Sequence, residues 1–242
     1  MSPAPAAYRY AVRAHPTGAL LLELAGAEAL CRPAGSLWLE AWKALIVADL
    51  HLEKGSAYAS RGQMLPPYDT RDTLARLENE AAALAPRLLI FLGDSFHDGG
   101  ARARLAADDV QRLRGLAAGR TLVWVLGNHD PDGPRGLPGE AVARLSLGAL
   151  TFVHQPADGP ASAEVAGHLH PCARVRAGGA SIRRRCFVTD GERLILPAFG
   201  AFAGGLNIRD PAFVRLWARR PLAGVLAAQH VHAVGWASLG GD

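Results

Sequence analysis

Side chains that can bind a cation recur at five places in the sequence, each directly after an apolar segment. The five motifs are Asp49-x-His51, Gly93-Asp94, Gly127-Asn128-His129-Asp130, Val153-His154 and Gly167-His168-Leu169-His170. Six of the nine histidines lie in or beside these motifs. Each motif alone is common in turns and on solvated surfaces. Their repeated position after apolar runs favours one shared site.

The chemistry of the donors points to two metal ions. The set contains carboxylate, amide and imidazole donors and no thiolate: Asp49, Asp94, Asn128, His51, His154, His168 and His170. Mixed oxygen and nitrogen ligation suits manganese, iron or zinc better than calcium. Seven ligands are too many for one tetrahedral ion but fit two ions about 3.5 to 4 Å apart that share a carboxylate, for which Asp94 is the candidate. We expect two divalent cations, with Mn²⁺ preferred and Fe or Zn as alternatives.

Two metal ions at this spacing indicate an enzyme that acts on phosphate esters. They can hold phosphate oxygens, lower the pKa of a bridging water and stabilise an in-line displacement. His129 follows the possible ligand Asn128 directly and can carry a proton near neutral pH, which makes it a candidate acid.

The apolar segments before the first three motifs predict buried strands, and helical patterns separate them. Strands are predicted over 44–48, 87–92 and 121–126, and helices over 69–85 and 103–118. This alternation predicts a parallel sheet whose strand ends carry the site at one edge. Residues 52–68, rich in Gly and Pro, are predicted as a long functional loop.

The remaining segments predict a second sheet. Residues 1–40 suit a β-meander at the edge of the first sheet. After Pro131, short strand-like runs separated by Gly, Pro and Asp predict a largely antiparallel sheet. These runs cover 147–153, 164–166, 173–176, 181–188, 193–196, 213–218 and 231–236. Because no polar linker interrupts the chain, we expect a single domain over residues 1–242.

Composition excludes several classes of protein. Half of the 242 residues are apolar, but no apolar stretch reaches the ~20 residues of a membrane span. The N-terminus lacks signal-peptide order, and the three cysteines have no zinc-type spacing. We therefore expect a cytoplasmic protein that does not act at a membrane. Its formal charge of +4 comes almost wholly from arginine and is compatible with a nucleic-acid partner.

In the order and spacing of its five motifs, the sequence resembles the calcineurin-type metallophosphoesterases. The resemblance implies one ion held by Asp49, His51 and His170, a second held by Asn128, His154 and His168, and Asp94 as the bridge between them. It also implies that His129 donates a proton to the leaving oxygen. The fold of that family is a four-layer α-β-β-α sandwich of two mixed β-sheets, an α/β class that agrees with the parallel-then-antiparallel order.

Shorter matches indicate a branch of the family. Protein serine/threonine phosphatases have an aspartate where this sequence has His97, and the DNA double-strand-break nucleases have a histidine that positions the scissile phosphodiester. Three segments resemble the bacterial DNA ligase-associated metallophosphoesterases: 49–55, 93–98 and 196–207. That resemblance implies a role in DNA repair beside an ATP-dependent DNA ligase and a helicase.

The expected function is a two-metal phosphodiesterase, a DNA endonuclease in repair, that hydrolyses phosphodiester bonds with a metal-activated hydroxide. His129 and His97 are the candidate catalytic residues, and Asp98 or Asp130 could orient an imidazole. Two alternatives stay open: a small-molecule (nucleotide) phosphodiesterase or phosphatase, and a non-catalytic scaffold of a repair complex. The full ligand set together with His129 disfavours the scaffold, because a scaffold needs no proton donor.

Contacts to DNA are expected from the run Arg183, Arg184 and Arg185, which is close in sequence to the metal-binding histidines. Forked guanidinium donors match phosphate oxygens. The alternative is that these arginines form a solvated strand face.

Overall fold

Two mixed β-sheets face each other in the computed structural model, which describes residues 11–177 and 179–241. The first sheet holds eight strands in chain order: β1 (Val12–Ala14), β2 (Leu20–Leu24), β3 (Ala27–Cys31), β4 (Leu37–Leu39), β5 (Ala44–Ala48), β6 (Leu88–Leu92), β7 (Thr121–Val125) and β8 (Glu140–Val142). The strands β1 to β5 form an antiparallel meander, and β5 to β8 are parallel neighbours. Residues 1–10 of the predicted meander lie outside the described residues.

The second sheet mixes parallel and antiparallel pairs. Its strands are β9 (Leu145–Leu147), β10 (Leu150–Val153), β11 (Glu164–Ala166), β12 (Pro171–Ala177), β13 (Ala180–Thr189), β14 (Arg193–Ile195), β15 (Leu206–Asn207), β16 (Leu222–Leu226) and β17 (Val231–Gly235). The pairs β10–β11, β11–β14 and β12–β15 are parallel, and the other pairs are antiparallel. With two mixed sheets, the predicted α/β fold class is confirmed.

Helices cover the outer faces of the sheets. They are α1 (Lys54–Ala59), α2 (Asp69–Leu84), α3 (Ala101–Arg104), α4 (Ala107–Ala117) and α5 (Pro211–Val214), with short 3₁₀ turns over Glu40–Trp42 and Trp236–Ser238. Side chains of β5 alternate: Val47 packs towards α2 and α4, whereas Ile46 packs towards the second sheet. This burial on both faces explains why the parallel strands appear in the sequence as unbroken apolar runs. Among the described residues, none of the helices has the length and apolarity to cross a membrane.

Three local predictions were wrong. The loop predicted over 52–68 contains α1. Gly55 lies within this helix and not in a turn, and its N–H donates to Asp69 Oδ2 at 3.0 Å. The helix predicted over 103–118 is broken at Leu105, where the backbone is extended (ψ 129°). No strand forms over 213–218: α5 covers the start of this range and turns follow it. The helix begins at Pro211 and is capped by Asp210, whose carboxylate accepts from Ala212 N at 2.8 Å.

Candidate metal centre

The five motifs meet where strands of the two sheets end. Asp49 follows β5, Asp94 follows β6, Asn128 follows β7, His154 follows β10 and His168 follows β11. Main-chain bonds join the neighbouring ends: His51 N–H donates to the Asp94 carbonyl at 2.9 Å, and Gly167 N–H donates to the His154 carbonyl at 3.0 Å. The structure therefore places all seven predicted ligands around one locus between the sheets.

The backbone at these strand ends is strained. Five of the predicted ligands have left-handed φ values, between 44° and 69°: Asp49, His51, Asp94, His168 and His170. A non-glycine residue in this region costs on the order of 1–3 kcal/mol, and such conformations concentrate at functional sites. The strain turns these side chains out of the sheet direction and towards each other.

One group of donors consists of Asp49, His51 and His170. The Nε2 atoms of His51 and His170 lie 3.2 Å apart, and His170 Nε2 lies 3.4 Å from Asp49 Oδ1. Ligands held about 2.1 Å from one ion at angles near 90° to 110° lie about 3.0 to 3.4 Å apart. The separations within this group match those of donors that share one cation.

A second group consists of Asp94, His154 and His168, with Asn128 beside it. From His154 Nε2, the distances are 2.9 Å to Asn128 Oδ1, 3.1 Å to His168 Nδ1 and 3.4 Å to Asp94 Oδ1. His154 Nδ1 lies 3.3 Å from the Leu92 carbonyl, which can only accept, so its hydrogen lies there. Nε2 is then free to bind a metal, as is usual for a ligating histidine.

Burial and neighbouring charges shift the pKa values of several donors. Burial would lower the pKa of His154, but its hydrogen bond to Asp94 and the charges of Asp49 and Asp94 raise it. Burial, with the charge of His170, lowers the pKa of His51 to about 3, so this imidazole is neutral at pH 7. Burial alone would raise the pKa of Asp94, but the hydrogen bond and charge of His154 outweigh it and lower that pKa to about 2. Asp94 also interacts electrostatically with His51. Neutral imidazole and ionised carboxylate are the forms that bind metals.

Carboxylates connect the strand ends to one another. Both oxygens of Asp49 accept from His168 N–H, at 3.1 and 3.0 Å, and Asp94 Oδ1 accepts from His129 N–H at 2.9 Å. Asp130 accepts three main-chain N–H groups, those of Ser95 (2.7 Å), Phe96 (3.1 Å) and Gly127 (3.1 Å). Each acid therefore holds a neighbouring motif in place through the backbone.

The expectation that Asp98 or Asp130 orients an imidazole was wrong. Asp98 pairs with Arg104 at 2.8 Å, and Asp130 is occupied by main-chain donors. A carbonyl orients the imidazole instead: His129 Nδ1 lies 2.6 Å from the carbonyl oxygen of His97. The sequence did not predict that Asp130 would join two strand ends, because its hydrogen-bond partners Ser95 and Phe96 lie 35 and 34 residues away in sequence.

A third histidine group lies at the mouth of the site. His97 and His129 stand beside His51, with ring centroids 5.1 to 5.7 Å apart. Burial and the charge of Lys54 lower the pKa of His97. These side chains line an open cleft of about 410 Å³, the metal cleft, formed by His51, Lys54, His97, His129, His168, Leu169, His170, Gly204, Gly205 and Leu206. The glycine pair of this lining was also missed, although Gly204-Gly205 is visible in the sequence.

The three arginines of β13 are directed to different places. Arg183 donates to the carbonyl of Gly205, at the rim of the metal cleft. Arg185 is half-buried and donates from Nη1 to the carbonyls of Ala198 (2.8 Å) and Gly200 (3.1 Å). Arg184 is exposed. The run therefore does not form one uniform patch, and part of it fixes the segment 198–205 that borders the metal cleft.

Comparisons with known proteins give three findings. A family model described as calcineurin-like phosphoesterase matches residues 43–176. The crystal structure of the nuclease MPE from Pseudomonas putida is similar, with 25% identity and a TM-score of 0.64, over 93% of this chain and 100% of that chain. The phosphoesterase Yfce from E. coli has 18% identity and a TM-score of 0.39, over 79% and 98% of the two chains. No curated protein matches the sequence.

The glycine before Asp94 offers a test of the second donor group. A Cβ at Gly93, where φ is +74°, would lie 2.1 Å from His154 Nδ1. Gly93→Ala must therefore displace His154, and we expect Mn²⁺ affinity at one site to fall about 10- to 100-fold in a calorimetric titration. Gly99→Ala is the control, since a Cβ there meets no atom within 4 Å. Wild-type titration of both variants would contradict the assignment of His154.

Proposed function

The chain belongs to the calcineurin-like phosphoesterase family, and from this we propose that it is a two-metal phosphodiesterase that cleaves DNA. Membership confirms the family predicted from the five motifs and makes the protein a metal-dependent phosphoesterase. The number of ions, the diester preference and the DNA substrate are the proposal.

The observation that carries the proposal is the presence of two adjacent donor groups: His154 Nδ1 of the second lies 3.7 Å from Asp49 Oδ1 of the first, and Asp94 of the second interacts electrostatically with His51 of the first. Asp49, His51 and His170 would hold one divalent ion, and Asn128, His154 and His168 the other. When bound, two such ions supply Lewis acidity towards phosphate oxygens and lower the pKa of water. The protein's part is to hold the donors in place. Burial keeps the His51 imidazole neutral, and main-chain N–H groups fix the carboxylates of Asp49 and Asp94.

His129 is placed to move a proton. Its Nδ1 hydrogen is held by the His97 carbonyl, so the exchangeable proton is the one on Nε2, which lies 4.0 Å from Asp94 Oδ2. The side chain is 40% exposed and lines the metal cleft, where a leaving oxygen would arrive. We assign His129 Nε2 as the general acid and His97 as the group that positions both this imidazole and the substrate phosphate.

Two further features support DNA as the substrate. The described residues that line the metal cleft include Lys54 and five imidazoles and no carboxylate, a lining suited to a phosphodiester. The structural neighbour from Pseudomonas putida is a nuclease, and the match spans that whole chain. His97, which stands where protein phosphatases have an aspartate, is part of this lining.

We also propose membership of the DNA ligase-associated group, with an ATP-dependent ligase and a helicase as partners in repair. Three segments carry this resemblance, and each contributes to the metal cleft: Lys54 from the first, His97 from the second and Gly204 to Leu206 from the third. A partner protein that delivers DNA to the metal cleft would contact these three segments together.

The substrate class can be tested with Mn²⁺-dependent hydrolysis of bis-p-nitrophenyl phosphate, p-nitrophenyl phosphate and supercoiled plasmid DNA. We expect turnover of the diester and nicking of the plasmid, with the monoester slower. Asp94→Ala should abolish both activities, because it removes the shared carboxylate. Asp132→Ala, which alters an exposed ion pair with Arg135, is the control that should retain them. Monoester turnover alone would support a phosphatase and contradict the proposal.

The role of His129 can be tested by leaving-group dependence. His129→Asn should lower kcat for DNA, an alkoxide leaving group, by about 10²- to 10⁴-fold, and the p-nitrophenyl diester much less, since p-nitrophenolate needs no proton. Mn²⁺ affinity should stay at the wild-type value. His232→Asn, an exposed histidine on β17, is the control. Equal losses on both substrates would contradict general-acid catalysis by His129.

A further inference from the structure

A second, larger cleft lies outside the metal centre. It encloses about 900 Å³ and is bordered by the segments 16–18, 32–34 and 226–230, by α2 and by β13. Its described lining residues include four arginines, Arg32, Arg76, Arg184 and Arg185, and a single carboxylate, that of Glu80. We name it the basic cleft. None of its lining residues belongs to the metal cleft.

Glu80 neutralises only one of these arginines. Arg32 binds it with two nitrogens, Nε at 2.5 Å and Nη2 at 3.0 Å, in the forked geometry typical of a strong guanidinium–carboxylate pair. Ser36 Oγ also donates to the same carboxylate. Glu80 is buried, at 9% exposure, and both of its carboxylate oxygens accept hydrogen bonds from these two partners. Among the described residues, Arg76, Arg184 and Arg185 form no ion pair of this kind, although the charges of Glu80 and Asp72 act on Arg76 at longer range.

Arg76 and Arg185 are held in place by uncharged partners. Arg76 donates to the Ala34 carbonyl at 2.9 Å and lies over the Phe199 ring, 4.4 Å from its centroid. Arg185 donates only to main-chain carbonyls. Burial and the charge of Arg185 lower the pKa of Arg76 to about 10, so it remains a cation at pH 7.

Each of these guanidinium groups keeps donors that its contacts do not use. A guanidinium has five N–H donors, and Arg185 engages only Nη1, whereas Arg184 gives a single bond, from Nη1 to the Arg183 carbonyl at 3.2 Å. Within the described residues, no carboxylate lies within 4.0 Å of Arg76, Arg184 or Arg185. An anion with several oxygens would satisfy both the charge and the spare donors.

The basic cleft and the metal cleft border the same loop. Arg185 donates to the Gly200 carbonyl, and Gly200 N–H donates to the Asp49 carbonyl at 3.1 Å. Gly200 therefore contacts both Arg185 and the main chain of Asp49, a predicted metal ligand. Further along the loop, Gly205 lines the metal cleft and accepts from Arg183. The loop 198–205 therefore contacts both the metal cleft and β13, the strand that lines the basic cleft.

We infer that the basic cleft binds the backbone phosphates of a nucleic-acid strand whose scissile phosphodiester lies in the metal cleft. The inference rests on the proposed function for its substrate. Forked guanidinium donors match phosphate oxygens, and several unpaired arginines in one cleft suit a ligand with repeated phosphates. Exposed neutral residues of the loop 226–230, such as Gln229, leave the cleft open to solvent for such a strand.

Binding can be measured separately from hydrolysis. The probe is a fluorescein-labelled 20-nucleotide DNA, single-stranded or duplex, titrated with the full chain in EDTA at several salt concentrations. Arg184→Glu and Gln229→Glu each place a carboxylate in the basic cleft at an exposed position. We expect each to weaken binding at least about tenfold, and Arg184→Glu to reduce the slope of log K against log salt by about 1.

Arg114→Glu, on an exposed face of α4 that lines neither cleft, is the matched control and should bind as the wild type does. Melting temperatures establish that every variant is folded. Affinities and salt slopes of both cleft variants equal to those of the control would overturn the inference. Displacement of the DNA by a low concentration of ATP would assign the cleft to a free nucleotide. A failure of the proposed function would instead appear as a wild type that hydrolyses no diester.

Discussion

The structure depends on hydrogen bonds between three carboxylates and main-chain N–H groups of neighbouring strand ends. Asp49 holds His168, Asp94 holds His129, and Asp130 joins the ends of β6 and β7 through Ser95 and Gly127. Burial raises the pKa of Asp130 despite its main-chain bonds, whereas the hydrogen bond and charge of His154 outweigh burial and lower the pKa of Asp94. The bonds from Asp49 hold His168, whose backbone is in the left-handed conformation.

Backbone carbonyls perform the complementary task for the imidazoles. The Leu92 carbonyl orients His154 through Nδ1, and the His97 carbonyl orients His129 in the same way. With one nitrogen occupied, the other is left for the role proposed for each residue: metal ligation by His154 and proton transfer by His129. The two donor groups and the acid are thus parts of one network that begins at strands buried on both faces. The segment 198–205 connects this network to the arginines of β13.

Much of this could be predicted from the sequence, because periodicity and strand-end motifs are local signals. The parallel strands β5 to β7 and the position of donors after them follow from apolar runs that stop at Asp or Asn. The role of Asp130 could not be predicted, since its partners lie in another motif. The predictions around Gly55 and Leu105 were wrong for a related reason. Tertiary contacts, rather than local preference, decide that α1 forms within residues 52–68 and that the chain breaks between α3 and α4. The division of Arg183, Arg184 and Arg185 between two clefts likewise depends on the loop packed against β13.

The central claim is that five strand ends build one centre for two ions with Asp94 between them. Crystals grown with MnCl₂ and measured at the manganese absorption edge test it directly. The account predicts two anomalous peaks about 3.5 to 4 Å apart, one beside Asp49, His51 and His170 and one beside Asn128, His154 and His168, with the Asp94 carboxylate between them. A single peak, or two peaks that Asp94 does not join, would contradict it.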